Sequence, residues 1–439
     1  MAASDRPGGL TALATFNFVG ALIMVMFTIG QIASVAQGGP EASVLQLTLF
    51  AANTVLLVLS GIGYMIRSRP LGWGLGHAYV AAAIALNYVL ITQDARFSIQ
   101  HLFVFVPPVL NLVLINTAFR IDLGGRRRAV RMLDFDPGTA PRRVRGHGFS
   151  VAHAWLVARY ASRFALRTGG GVAYQLLLIT AGILLSMSVF VPIEEWAERT
   201  SDESAVRTAD ALAQNELVVG FVEGLVGDER TTRHLLTDRP ALLSALMLFL
   251  FGFLPFFVCA GAFNQFSGDI ASRGLRYLLL RTDRSNIFFG RFVGTAVFTL
   301  AGIAFLFATL TLYVQLRFRA YPPAELWGWA GEGFLAAALF TIPHLAIGSL
   351  ISASLRSPFG SLALCYAAVG MPLVLIAVLR AALHGRVTLD WLTKLLPWGW
   401  RFAALSPDLG DRLLGAVVLL AWAAGLLWVG LTVLRRRDL

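Results

Sequence analysis

The chain has 439 residues, of which 57% are hydrophobic and only 14% are charged. Soluble domains carry about 25% charged residues, so this composition excludes an ordinary water-soluble protein. The formal net charge of +11 would favour nucleic-acid binding in a soluble protein. In a membrane protein it is explained by the arginines that mark cytosolic loops, so we expect no nucleic-acid partner.

About ten apolar segments predict an all-α polytopic membrane protein, because each is near the ~20 residues that cross the hydrocarbon core. They cover residues 10–36, 44–66, 71–92, 99–119, 172–192, 240–262, 287–314, 333–355, 359–383 and 412–434. A cleaved signal peptide is the alternative for the first segment, since Ser34-Val35-Ala36 resembles a cleavage site. The segment is longer than the apolar part of a typical signal peptide, which favours a retained span.

The distribution of charge predicts the side on which each loop lies. With the N-terminus in the cytosol, most basic residues fall in cytosolic segments and most acidic residues fall in external ones. The opposite topology would place the basic runs Arg126–Arg128 and Arg435–Arg437 outside, against the positive-inside rule. We therefore expect a multi-pass protein of the plasma (inner) membrane, with both termini cytosolic.

Changes in composition divide the chain into parts. Residues 1–119 form a predicted four-helix membrane domain, and the basic segment 120–148, which contains Gly and Pro, is a predicted cytosolic linker. Residues 172–439 hold the remaining six spans. Between these spans we expect an acidic external insert at 193–239 and an external helical hairpin at 384–411, whose tryptophans suit the membrane interface.

An amphipathic helix is predicted at residues 149–171. Arg159, Arg163 and Arg167 recur every four residues, so they form one stripe on a helix whose remaining surface is largely apolar. This pattern is typical of a helix that lies in the cytosolic membrane interface and extends its arginines toward lipid phosphates. An ordinary cytosolic helix is the alternative.

The sequence lacks the residues that most membrane-embedded chemistry requires. No Asp, Glu or Lys lies in the middle of a span, which argues against a proton- or sodium-coupled carrier. Cys259 and Cys365 both lie in apolar segments and indicate neither a disulfide framework nor a metal site. The polar residues within spans are expected to hydrogen-bond between packed helices; they are His77, Asn87, His101, Asn111, Asn116 and His344.

An ATPase site is also excluded. The only lysine is Lys394, and no Gly-Lys pair exists from which a P-loop lysine could reach a nucleotide phosphate. Any ATP and Mg²⁺ would therefore be bound by another subunit. This chain is expected to be no enzyme itself and to hold no cofactor or metal.

The loop at 263–286 and the start of the next span carry a recognisable pattern. Asp269 opens it, Gly274 and the leucines Leu278–Leu280 follow, and Arg284 and Gly290-Arg291 close it. This order resembles the cytosolic loop between the second and third spans of permease subunits of type-2 ATP-binding-cassette exporters. The six spans and the external hairpin of residues 149–439 are similar to that family as well. The sequence departs from the pattern at Ser272, Arg273, Leu275 and Thr282.

The resemblance implies an ATP-driven exporter whose nucleotide-binding ATPase is a separate subunit docked on this loop and on the interfacial helix. A second permease copy, or a homologous permease, would complete the pathway in the lipid bilayer. The loop residues expected to contact the ATPase subunit are Asp269, Arg273, Arg276, Arg281, Arg284 and Arg291. Two alternatives stay open: a gradient-driven carrier or channel, and a membrane assembly scaffold, neither of which needs an ATPase.

Overall fold

The computed structural model describes residues 13–14, 17–18, 21, 24–25, 28, 44–66, 68–94, 108–109, 111–116, 148–199, 216–318, 321–382 and 390–437. Within these residues the protein is helical and contains no strand, which confirms the predicted all-α class. The predicted linker at 120–148 lies almost wholly outside the described residues, as do residues 200–215 of the predicted insert at 193–239.

Fourteen described α-helices are numbered here in chain order. The first six are α1 (Val44–Ile66), α2 (Leu75–Asp94), α3 (Val151–Arg167), α4 (Gly169–Arg199), α5 (Glu216–Val226) and α6 (Glu229–Arg233). The next four are α7 (Ala241–Ala262), α8 (Ser267–Ala271), α9 (Leu275–Leu279) and α10 (Arg284–Phe318). The last four are α11 (Pro323–Ser354), α12 (Pro358–Ala382), α13 (Asp390–Lys394) and α14 (Leu409–Arg436).

Eight helical segments of the described chain are long and apolar enough to cross a membrane. They correspond to predicted spans two, three and five to ten. The predicted spans at 10–36 and 99–119 lie mostly outside the described residues, although the residues of each that are described are helical. Helices α10 and α11 have 35 and 32 residues, so at 1.5 Å per residue both are longer than the ~30 Å hydrocarbon core.

The chain divides into two compact units. The first comprises Met1–Arg145 and Arg163–Leu177, and the second comprises Gly146–Ser162 and Leu178–Leu439. The boundary therefore crosses α3 and α4 instead of lying only in the linker. Val172 and Leu176, in the first turns of α4, belong to an apolar cluster of the first unit.

Buried amides connect the helices of the first unit. The Tyr64 hydroxyl donates to Asn111 Oδ1 at 2.6 Å, and Asn111 Nδ2 donates to Asn17 Oδ1 at 2.9 Å. Asn17 Nδ2 in turn donates to the Ser60 hydroxyl at 2.9 Å. Each polar side chain is thereby satisfied inside the protein, as an apolar surrounding requires.

Other polar residues predicted within spans also have hydrogen-bond partners inside the protein. His77 Nε2 lies 3.0 Å from Asn116 Nδ2, which joins two segments of the first unit. Asn87 donates to the Ala83 carbonyl, and His344 Nδ1 lies 2.7 Å from the Phe340 carbonyl, so these two bond within their own helices. His101 lies outside the described residues.

The second unit is built around α11, which packs along α14 and against α7 and α10. The fully buried Trp329 of α11 donates its indole N–H to Ser244 of α7 at 3.1 Å. In the first half of α11, Glu332 accepts from Arg239 at 3.3 Å and from Arg412 at 3.2 Å. One carboxylate therefore connects the ends of α7, α11 and α14.

The segment after α12 lies at the same end of the second unit. Its short helices, α13 and the 3₁₀ turns Pro397–Trp400 and Ala403–Leu405, are too short to span. The guanidinium of Arg401 lies 4.9 Å from the Trp398 ring and 4.8 Å from the Phe402 ring, and it donates to the Leu225 carbonyl of α5. Burial lowers the pKa of Arg401 to about 10, so this contact stays charged at neutral pH.

Helix α3 packs on α10 through small residues. A Cβ at Gly290 would lie 2.6 Å from the Ala154 carbonyl oxygen, and one at Gly294 would lie 2.7 Å from the Ala158 carbonyl oxygen. The Ser162 hydroxyl also donates to the Gly294 carbonyl at 3.0 Å. Such spacing of small residues lets helix backbones approach closely.

We expect Gly294→Ala to destabilise the protein, because its methyl group would push α3 away from α10 at a cost of about 1–3 kcal/mol. Thermal unfolding of the full chain in detergent measures the change. Gly252 in α7 is the matched control, since nothing lies within 4 Å of its added Cβ. Gly252→Ala should be neutral or stabilise by up to about 1 kcal/mol through helix propensity. Equal effects of the two substitutions would contradict the close approach.

Candidate functional site

The loop between α7 and α10 folds onto the end of the second unit. Its helices α8 and α9 bury Ile270 and Leu275 in an apolar cluster that includes Phe288 of α10. The cluster extends to Ala353 of α11 and to Leu431 of α14. The loop is therefore packed against the ends of three long helices.

The first turn of the loop is hydrogen-bonded to α11. The Ser352 hydroxyl oxygen accepts from the backbone N–H groups of Phe266 and Ser267 at 2.8 and 3.0 Å. One turn earlier, the Ser349 hydroxyl donates to Gln265 Oε1 at 2.7 Å. All five residues are buried, so these bonds satisfy groups that water does not reach.

Arg284 binds the end of α14. Its Nη1 donates to the carbonyl oxygens of Leu434, Arg435 and Arg437 at 2.8, 2.6 and 2.8 Å. The last carbonyls of a helix have no partner within the helix and carry partial negative charge, so a cation is favourable there. Arg435 returns a bond from its Nη2 to the Ser285 hydroxyl at 3.1 Å.

Asp269 and Arg291 form an ion pair between α8 and α10. The same guanidinium donates to the Gln265 carbonyl and lies 5.5 Å from the centre of the Phe266 ring. The Arg291 side chain is only 15% exposed. This pair holds the two ends of the loop together.

Asn286 connects the loop to α3. Its Oδ1 accepts from the Ser150 backbone N–H at 2.8 Å, and its Nδ2 donates to the Thr282 hydroxyl at 3.1 Å. The Phe149 and Phe289 rings meet edge to face at 5.5 Å beside this bond. The start of α3 and the end of the loop thus form one surface.

Five loop residues point away from these contacts, and we call them the docking patch: Arg273, Arg276, Tyr277, Leu280 and Arg281. Tyr277 and Leu280 are 74% and 84% exposed, and the three arginines are exposed as well. None of the three arginines forms an ion pair within the described part of the chain. The patch therefore combines three unneutralised positive charges with two large side chains.

The backbone of Arg273 adopts a conformation that favours glycine. Its φ is +58°, and it is the one residue other than glycine with positive φ among those the structure describes. A left-handed conformation costs an ordinary residue roughly 1–2 kcal/mol. Strain of this kind concentrates at functional sites, where a particular side chain is needed.

The structure thus divides the six loop residues selected from the sequence. Asp269, Arg284 and Arg291 contact the protein's own helices, whereas Arg273, Arg276 and Arg281 face outward. Arg159, Arg163 and Arg167 of α3 are also exposed. Sequence inspection missed Asn286 and Ser352. Their only signal in the sequence is a polar side chain near a helix end, which many residues share.

No family model matches the chain, and no curated protein matches its sequence. The described residues contain no group of three or more His, Cys, Asp or Glu side chains placed to hold a metal ion.

We expect Arg284→Ala to release the end of α14, because three carbonyls lose one cationic donor. A hydrogen bond to a charged group contributes about 1.5–3 kcal/mol, and partial exposure of Arg284 favours the lower value. The midpoint of thermal unfolding should fall, and trypsin should cleave faster after Arg435–Arg437. Arg281→Ala is the control, since that side chain is exposed and unpaired among the described residues. If both variants behave alike, Arg284 does not hold the helix.

Proposed function

We propose that the chain is the membrane-spanning permease subunit of an ATP-driven transporter of the type-2 ATP-binding-cassette class. The observation that carries this proposal is the docking patch: an exposed basic and apolar surface on a loop that is bonded on its other sides to transmembrane helices. A protein that binds there and moves would displace the helix ends directly.

The partner is a separate ATPase subunit. The permease chain has no Gly-Lys pair for a P-loop, so ATP and Mg²⁺ belong to that subunit. The binding surface of that subunit carries acidic side chains that face Arg273, Arg276 and Arg281. It also has an apolar recess for Tyr277 and Leu280. Large side chains buried at the centre of an interface supply most of its affinity, while charges at its rim set orientation and association rate.

Force passes from the ATPase to the spans through the bonds of the loop. Arg284 joins the loop to α14, Ser352 joins it to α11, and Asn286 joins it to the start of α3. A displacement of the patch therefore moves the ends of these helices together. Packed interfaces switch between discrete arrangements, which lets a small shift at one end open or close a pathway.

The complex contains two permeases, as a homodimer or with a homologous chain, and exports its substrate across the plasma (inner) membrane. The loop and both termini face the cytosol, in agreement with the positive-inside rule. Arg159, Arg163 and Arg167 of α3 reach the lipid phosphates beside the docked ATPase.

The test is reversal of the patch charge. Arg273→Glu, Arg276→Glu and Arg281→Glu in one chain should weaken recovery of a P-loop ATPase with the purified permease by roughly tenfold or more, equivalent to about 1.4 kcal/mol. Mass spectrometry identifies and quantifies the ATPase, and vanadate-sensitive ATP hydrolysis of the purified complex reports coupling. The thermal stability of the permease alone should change little, since these side chains are exposed.

Arg230→Glu is the control, because Arg230 is an exposed arginine of α6, before the start of α7, whereas the loop follows the end of α7. It should leave ATPase recovery unchanged. The proposal fails if no P-loop ATPase accompanies the wild-type chain and the chain alone carries out gradient-driven flux in liposomes.

A further inference from the structure

A second basic cluster lies beside the loop, at the ends of α11 and α14. Arg356 occupies the turn between α11 and α12, and Arg435, Arg436 and Arg437 end α14 and follow it. Within the residues that the structure describes, none of these four arginines forms an ion pair. The docking patch does not include them.

The fold holds two of these arginines near each other. Arg437 Nη1 donates to the Ala353 carbonyl at 2.5 Å, three residues before Arg356 in the sequence. Burial, and secondly the positive charge of Arg356, lowers the pKa of Arg437. Two like charges at a partly desolvated site repel each other, and an anion between them would remove that repulsion.

This arrangement differs from that of charges that only set topology. Here Arg284 fixes the carbonyls of Leu434, Arg435 and Arg437. The backbone that carries Arg437 is therefore fixed to the loop, and its side chain is fixed to the end of α11.

Apolar surface lies next to these charges. Phe359, in the first turn of α12 and three residues after Arg356, is 80% exposed. Trp428 is 68% exposed on α14 and lies seven residues before Arg435, which is two turns along the same face. Exposed aromatic side chains near the end of a span are typical of the membrane interface. A ligand here meets positive charge and hydrocarbon together.

We propose that Arg356 and Arg437, with Arg435 and Arg436 at the rim, bind the headgroup of an anionic phospholipid whose acyl chains lie against the start of α12. A phosphate group suits two guanidinium groups because each guanidinium presents paired donors to its oxygens. The lipid would draw the end of α14 toward α11 and stabilise the packing of these two helix ends, on which the loop lies. This inference is independent of any ATPase.

The experiment uses the full chain purified in a neutral detergent. Phosphatidylglycerol should raise the midpoint of thermal unfolding, and phosphatidylcholine should not. Native mass spectrometry should find phosphatidylglycerol retained on the wild-type chain. Arg356→Gln should lose at least about half of the shift and of the retained lipid. That variant is expected to fold, because Arg356 is exposed and has no hydrogen-bond partner among the described residues.

Arg230→Gln is the matched control, since it removes the same charge from an exposed site in α6, before the start of α7. This variant should keep the full shift in the unfolding midpoint. Arg437→Gln should lose the shift as well. The proposal is overturned if Arg356→Gln keeps the full shift, or if phosphatidylcholine acts as strongly. Inorganic phosphate that reproduces the shift alone would assign the site to a soluble anion and overturn the lipid assignment.

Discussion

Lipid hydrocarbon offers no partner to a backbone N–H or C=O group, and the architecture of this protein depends on that constraint. The described spans are helices because only a helix satisfies its own backbone within one segment. Polar side chains inside the first unit meet each other, as Asn17 and Asn111 do. In the second unit the ion pairs of the described residues lie near helix ends, with those of Glu332 toward one end and Asp269–Arg291 toward the other. Along α11, Glu332 and the loop-bonding Ser352 are separated by about 20 residues, or roughly 30 Å.

The orientation of the short helices in the loop after α7 determines which of its arginines face outward and which face the helix ends. Ile270 and Leu275 must be buried, and this orients α8 and α9 on the bundle. Arg273, Arg276 and Arg281 then face outward, while Arg284 and Arg291 start α10 and face the helix ends. A guanidinium near the terminal carbonyls of a helix gains from their partial negative charge. Within the described residues the outward arginines have no such contact, so they contribute little to the stability of the fold.

Small residues determine how closely α3 approaches α10. The spacing of Gly290 and Gly294, and of Ala154 and Ala158, is visible in the sequence as two small-xxx-small patterns. Gly290 also closes the loop pattern that begins at Asp269, and its structural role is to admit α3. The arginine stripe of α3 is visible in the sequence because a period of four places its residues on one helix face. The partner of the opposite alanine face lies more than 130 residues away, and local periodicity carries no information about it.

The sequence by itself determined the helical membrane class, the positions of most spans and the presence of a charged loop between α7 and α10. These follow from composition, run length and helical period, which act locally along the chain. Only the tertiary structure decided which loop arginines bond to the protein's own helices and which are exposed. That choice depends on the carbonyls of Leu434–Arg437 and on Ser352, which reach the loop only after α11 and α14 pack. Because one guanidinium is chemically like another, position in the fold alone distinguishes Arg284, which binds a helix end, from Arg281, which faces outward.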